Sequence, residues 1–100
     1  MCGVAGAFQQ PDGKVIVSTM VDRIGHRGPD ACGVIELVDP DSSVVLGHRR
    51  LSIIDLTTAS DQPFAKQGLT LSYNGEVYNY REIRRDLEAR GIRFATQSDT

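Results

Sequence analysis

Alternation with period two over residues 2–8 puts Cys2, Val4 and Phe8 on one face and predicts a strand of mostly small residues. Pro11-Asp12-Gly13 is a turn signal. Over residues 15–24 the period changes: Ile16, Met20 and Ile24 recur four apart, which predicts a helix that Gly25 ends. Gly25-His26-Arg27-Gly28-Pro29-Asp30 has the composition of a loop. Residues 33–38 and 43–47 read as two strands of a hairpin closed by Asp39-Pro40-Asp41-Ser42. Residues 51–55 form a short apolar stretch, residues 57–63 a polar loop, and residues 69–73 a strand running into Asn74-Gly75.

The best-specified element is a helix over residues 80–90. Asn79 is an N-cap residue with Glu82 three positions on, a capping-box pair, and Tyr78 before the cap is placed to staple onto Ile83. Ile83 and Leu87 form the apolar stripe. Gly91 suits the left-handed position after the helix, with Ile92 folding back onto Leu87. Arg93-Phe94-Ala95 opens a further strand. Strands close in sequence with helices to cover them predict a mixed α and β fold.

Composition narrows the class. Forty per cent hydrophobic and 24% charged residues are ordinary for a soluble domain, and 100 residues is the size of one small domain. A formal charge of −2 disfavours a nucleic-acid or anionic-membrane partner. No apolar run approaches the ~18 residues that span a bilayer. The first residues lack a signal peptide's basic and apolar regions, so a cytoplasmic protein is expected. Two cysteines thirty residues apart, without an export signal, do not read as a disulfide framework. Six aromatic residues and no Trp give a modest core, and Gln97-Ser98-Asp99-Thr100 has no stop-like character. The 100 residues are therefore expected to be the front part of a longer chain.

Candidate chemistry begins at Cys2. With Met1 removed, one residue would carry both a thiol and a free α-amine, whose ordinary pKa values lie near ~8.5 and ~8. The amine could then take the thiol proton directly or through water, activating the nucleophile without a histidine. Position alone favours a small buried hydrophobe at a strand start. Asn74-Gly75 by itself reads as a two-residue hairpin turn. Cys2, Cys32, His26 and His48 have no zinc-like spacing, so no metal site is expected, and His26 and His48 read as structural hydrogen-bonders. No glycine-rich phosphate loop with Lys-Ser/Thr occurs, so any ATP site must lie outside these residues.

Taken together, the segments carry a resemblance. Met1-Cys2-Gly3-Val4-Ala5-Gly6 resembles the start of the class II, N-terminal-nucleophile glutamine amidotransferases. His26-Arg27-Gly28-Pro29-Asp30 is similar to the asparagine synthetase branch, where other branches carry Gln or Tyr in place of Pro29. Gly47-His48-Arg49-Arg50-Leu51-Ser52-Ile53-Ile54-Asp55, Gln62-Pro63, Tyr73-Asn74-Gly75-Glu76-Val77-Tyr78-Asn79 and Ser98-Asp99 resemble the same branch in the same order. The likeness is to the glutaminase half of glutamine-hydrolysing asparagine synthetases and covers nearly the whole chain.

The resemblance implies an α+β fold, the four-layer αββα sandwich of N-terminal-nucleophile hydrolases, with its N-terminal part in this chain. It implies hydrolysis of L-glutamine to glutamate and ammonia through a Cys2 thioester. Arg50 would take the substrate α-carboxylate as a bidentate pair, and Asp99, helped by Glu76, its ammonium group. The Asn74 side-chain amide and the Gly75 N–H would stabilise the oxyanion, while Leu51, Ser52, Ile53 and Ile54 line the pocket. Arg49 would be a surface strand-end residue, and the loop at His26 would shape the surroundings of the nucleophile. A C-terminal synthetase domain using ATP and Mg would receive the ammonia. No cofactor is expected in this chain, and homo-oligomer formation is left open. The remaining readings are an amidotransferase for another acceptor, a sugar or other carboxylate, and a non-catalytic glutamine-binding fragment. A pyrophosphatase-type Ser-Gly-Gly-x-Asp-Ser loop after Thr100 would mark the synthetase.

Overall fold

The computed structural model describes all residues, 1–100. Three strands, β1 (Gly3–Phe8), β2 (Ala31–Val38) and β3 (Ser43–Arg50), form an antiparallel sheet in the order β1-β3-β2. The central strand β3 pairs Gly3 with Arg49 on one side and Ala31 with Arg50 on the other, so one end of all three strands meets near Arg50. Asp39 shapes the β2–β3 turn: its carboxylate accepts from the Asp41 and Ser42 N–H groups and from the Ser42 hydroxyl.

Helix α1 (Gly13–Arg23) lies across one face of this sheet, and the buried apolar cluster sits between them: Val17, Val21 and Val45, with Ala5, Ala7 and Val34 packed around it. The helix is where the sequence placed it, but its buried stripe is not Ile16, Met20 and Ile24. Met20 is 42% exposed, Ile16 and Ile24 are half-buried, and Ile24 stands at the C-cap. The stripe is turned by one residue because of Gly47 on β3. A Cβ at Gly47 would meet the side chains of Val21 and Val17, so the missing side chain is the notch those two valines fill. β1 shows the same inversion. Gly3, Ala5 and Ala7 face α1, whereas Val4 and Phe8, on the face that carries Cys2, are exposed.

Arg49 ties the two layers together and is not a free surface residue. Its Nε–H donates to the Val21 carbonyl at 3.0 Å, and its Nη2 lies 3.3 Å from Asp22. After α1 the chain makes one 3₁₀ turn, Gly25–Arg27, and crosses the end of β3. Buried Gly28 permits the crossing: a Cβ there would overlap the backbone of Arg49 and Arg50.

The second half of the chain lies over the opposite face of the sheet at its Arg50 end. A short 3₁₀ turn (Thr58–Ser60) is followed by a small hairpin, β4 (Phe64–Lys66) and β5 (Leu69–Leu71). The sequence reading missed β4 and extended β5 to Tyr73. The turn between them is Gln67-Gly68, with φ of 51° and 77°, which glycine accommodates easily and glutamine tolerates at the left-handed position. Asn74-Gly75 is no such turn, since neither residue has positive φ. Gly75 is instead a point of close approach, with the Tyr73 ring folded over the space a Cβ would take, 2.6 Å from Tyr73 Oη.

Helix α2 (Tyr80–Ala89) forms as predicted and ends as predicted. Gly91 has φ 88°, its N–H donates to Glu88 and the Ile92 N–H to Leu87, a complete Schellman closure. Its start differs. Asn79 makes no side-chain cap, and Tyr78 is 90% exposed and staples nothing. Arg93-Phe94-Ala95 forms no strand. Arg84 joins α2 to this segment, donating to the Thr96 carbonyl at 2.6 Å and lying 4.8 Å above the Phe94 ring. The overall architecture is a mixed α and β fold with two helices and two antiparallel sheets.

Candidate active site

A cavity of about 280 Å³ opens where the ends of β1 and β3 meet the loops after β3 and β5. That is near the lower end of the ~300–1,000 Å³ of ligand pockets and suits an amino-acid-sized molecule. Cys2, at the entry to β1, reaches it from one side. The half-buried Cys2 thiol is held by one residue: the Leu51 N–H donates to Sγ at 3.3 Å, and Sγ lies 3.8 Å from the Leu51 carbonyl. Arg27 from the 3₁₀ turn donates to the Cys2 carbonyl at 3.3 Å. Met1, 74% exposed, lines the cavity beside the thiol.

Arg50 is the last residue of β3 and is only 7% exposed. Its Nη1 donates to the Thr57 carbonyl and to Asp61 Oδ1, both at 2.7 Å, and its Nη2 donates to the Asp55 carbonyl. These bonds hold the guanidinium rigidly and leave the Nε–H and one Nη2–H without a partner. Two unpartnered guanidinium N–H groups are what a bidentate carboxylate pair requires.

The loop carrying Leu51, Ile53, Ile54 and Asp55 forms the cavity's apolar wall and floor. Asp55 is buried and accepts four hydrogen bonds: from the Thr57 hydroxyl at 2.7 Å, the Thr57 and Gln97 N–H groups at 2.9 Å, and the Ser60 hydroxyl at 2.8 Å. These bonds, the Thr57 hydroxyl's first, hold its carboxyl well below the usual carboxylate range. Ser52 does not line the cavity; its N–H donates to Asp30 Oδ2 at 2.7 Å, and the Asp30 N–H donates to the Arg50 carbonyl. The loop ending in Asp30 therefore fixes the chain leaving β3 next to the thiol.

On the far wall stand Asn74, Gly75, Glu76 and Asp99. The Asn74 side chain is exposed and makes no hydrogen bond within the chain. Asp99 turns Oδ2 onto the Val77 N–H at 2.8 Å, tying the last residues to the loop after β5. Beneath that wall is fully buried His48, whose Nε2 lies 3.0 Å from the Tyr73 carbonyl. Its Nδ1 has no partner. Burial pushes its pKa down and the Tyr73 bond opposes this; the Arg50 charge adds to the fall and the Asp61 charge offsets it. A neutral ring with its proton on Nε2 follows, since a buried Nδ1–H would be an orphaned donor.

Of the residues named from the sequence, nine of the ten meet at this cavity, and Ser52 supports it from outside. His48 hydrogen-bonds as read, whereas His26 is exposed and makes none. Sequence reasoning assigned no role to Asp30, Asp55, Ser60, Asp61 or Gln62. Asp30, Asp55 and Gln62 are members of the same short motifs, whereas Ser60 and Asp61 lie outside them; a carboxylate, hydroxyl or amide in a polar loop gives no sign of what it will hold.

The chain belongs to the glutamine amidotransferase domain family, whose model matches residues 1–100. It is 42% identical over its whole length to "Asparagine synthetase [glutamine-hydrolyzing] 1" of Bacillus subtilis and 35% identical to "Asparagine synthetase [glutamine-hydrolyzing] 3" of the same organism. It is also 37% identical, over 99% of its length, to "Amidase chry2" of Gibberella zeae. The chain spans only 16%, 17% and 16% of those relatives respectively. No solved structure matches it. No helix is long and apolar enough to cross a membrane.

Proposed function

We propose that this chain is the front part of a glutaminase domain that hydrolyses glutamine at Cys2 and supplies ammonia for ATP-dependent asparagine synthesis. The reading rests on one observation: a thiol, an arginine with two unpartnered N–H donors, an unpartnered amide and the Glu76 and Asp99 carboxylates converge on one amino-acid-sized cavity from separate segments. Arg50 would take the α-carboxylate and Asp99, with Glu76, the α-ammonium, leaving the side-chain amide to face Cys2.

With Met1 removed, the freed α-amine takes the thiol proton and the thiolate attacks the amide carbon. The carbonyl oxygen becomes an oxyanion received by the Asn74 amide and the Gly75 N–H. The C–N bond breaks, nitrogen leaves with the proton as ammonia, and a γ-glutamyl thioester remains. Water adds to the thioester and releases glutamate and the thiol. The fold proposed for the complete domain is the αββα sandwich of N-terminal-nucleophile hydrolases, in which this sheet and α1 are two of the four layers. The cavity presents carboxylates and no phosphate-cradling glycine loop, so a nucleotide does not fit it. ATP and Mg would serve the synthetase part of a longer protein.

Cys2→Ala in the full natural protein is expected to abolish glutamine-dependent asparagine synthesis while ammonia-dependent synthesis continues, because free ammonia needs no thioester. Retaining Met1 through an uncleavable N-terminal extension removes the base and should slow the glutaminase by about 10²–10⁴. Full glutaminase activity in either protein would overturn the mechanism.

A further inference from the structure

Tyr73 precedes Asn74 and lies beyond the end of β5, where no backbone–backbone bond reaches it. Both of its peptide polar groups are nevertheless held, and by side chains from other elements. Its N–H donates to Gln62 Oε1 at 2.6 Å, and its carbonyl accepts from His48 Nε2 at 3.0 Å. His48 is wholly buried and Gln62 is 8% exposed. Gln62 is itself fixed, because its backbone crosses β2 at Gly33, where a Cβ would strike the Gln62 carbonyl. The Nε2 bond is the only polar anchor of the His48 ring, since Nδ1 has no partner. An aliphatic side chain would fill the same space without a buried polar atom, but it would leave the Tyr73 carbonyl unpaired. The Tyr73 ring then folds over Gly75. Asn74 is thus held between a residue clamped at its backbone and a glycine covered by that residue's ring.

We propose that His48 and Gln62 are positioning residues, a two-sided clamp on the Tyr73 backbone that aims the Asn74 amide and the Gly75 N–H at the oxyanion. The inference rests on the glutaminase reading above and adds how its donors are preorganised. Donors stabilise a transition state only when already in place, and a displacement of about 1 Å can cost about 10²-fold in rate. Gln62 also donates from Nε2 to Thr100 Oγ1 at 3.3 Å, beside Asp99, whereas His48 lies outside the cavity lining and bonds only to Tyr73, so the His48 arm is the one separable from substrate binding.

The test is steady-state glutaminase kinetics on the full natural protein carrying His48→Leu, His48→Gln or Gln62→Met, alone and combined with Asn74→Ala. His48→Leu and Gln62→Met are expected to lower kcat by about 10- to 100-fold. Glutamine KM should stay within about twofold in His48→Leu, since His48 does not line the cavity; for Gln62→Met, which also loses the Thr100 bond, the kcat loss and the double variant are the readout. Alkylation of Cys2 by iodoacetamide, which forms no oxyanion, should keep its rate. His48→Gln places an amide N–H near the position of the imidazole Nε2 and should recover most of kcat. Combined with Asn74→Ala, the clamp variants should cost clearly less than the sum of the separate losses, because the Asn74 donor is already gone and only the Gly75 N–H is left to misplace. Full kcat in His48→Leu and Gln62→Met, or losses that add in full to that of Asn74→Ala, would overturn the clamp. If His48→Leu does not fold, Gln62→Met and its double variant decide alone. Cys2→Ala run alongside separates the two failures: residual glutaminase there sinks the glutaminase reading, whereas a dead Cys2→Ala with active clamp variants sinks only the clamp.

Discussion

The half of the molecule built on the sheet and α1 and the half that walls the cavity are stabilised by different physics. Every buried large apolar side chain belongs to the first: Val17, Val21 and Val45. The buried residues of the cavity half and its border are polar or charged: His48, Arg50, Asp55, Ser60 and Gln62. Burying a valine contributes about 1.5–3 kcal/mol without directional requirement. A buried guanidinium, carboxylate or imidazole contributes only while its partners stay in place, and costs heavily when they do not. The first half can therefore absorb small changes by repacking. The second fixes atoms to within hydrogen-bond tolerance, as an oxyanion site requires, at the cost of sensitivity to pH and to single lost partners.

The largest expected effect isolates function from stability in the cavity half. Asn74→Ala should lower glutaminase kcat by about 10²–10³, the cost of one oxyanion donor. Its melting temperature should hold, because the side chain is exposed and bonds to nothing in the chain. Asn74→Asp should be at least as harmful, placing negative charge where the oxyanion forms. An active Asn74→Asp in kinetic assay would remove Asn74 from the site.

Next comes the sheet half. Gly47→Leu forces a side chain into the notch filled by Val17 and Val21 and should cost about 3 kcal/mol or more. Denaturant melts should show the loss equally at pH 5 and pH 8, since no titrating group is involved. A near-neutral Gly47→Leu would break the account of why α1 is rotated.

The smallest effect at neutral pH concerns Asp55. Its folded-state pKa is depressed by its four hydrogen bonds, so its stabilisation is fully present above the unfolded-state value and is lost as pH falls toward the folded one. Thermal melts should therefore fall steadily below about pH 5, and Asp55→Asn should flatten that decline. The Asp39 carboxyl is depressed in the same direction, first by the Asp41 N–H, but it sits in an exposed turn. Asp39→Asn should change the acid limb less. Equal effects from the two variants would erase the contrast between the halves.

Local chemistry was legible in the chain itself. The β2–β3 hairpin with its Asp39 turn, the presence of α1 and α2 and the Gly91 closure all depend on contacts within a few residues, so periodicity and turn residues suffice to find them. Cys2, Arg50, Asn74 and Asp99 stood out because short motifs carry them. What the sequence could not decide is which face each element buries and which polar groups meet. α1 turned on its axis because Gly47, more than twenty residues away, offers a notch. Asn74-Gly75 looked like a turn, yet the Tyr73 ring takes the space over Gly75 and the real turn is Gln67-Gly68. The clamp of His48 and Gln62 on Tyr73 joins residues 25 and 11 positions apart. Periodicity reports an element's own repeat, whereas the pairing of a buried donor with its acceptor is set by packing across the sheet, and only the folded chain brings those atoms together.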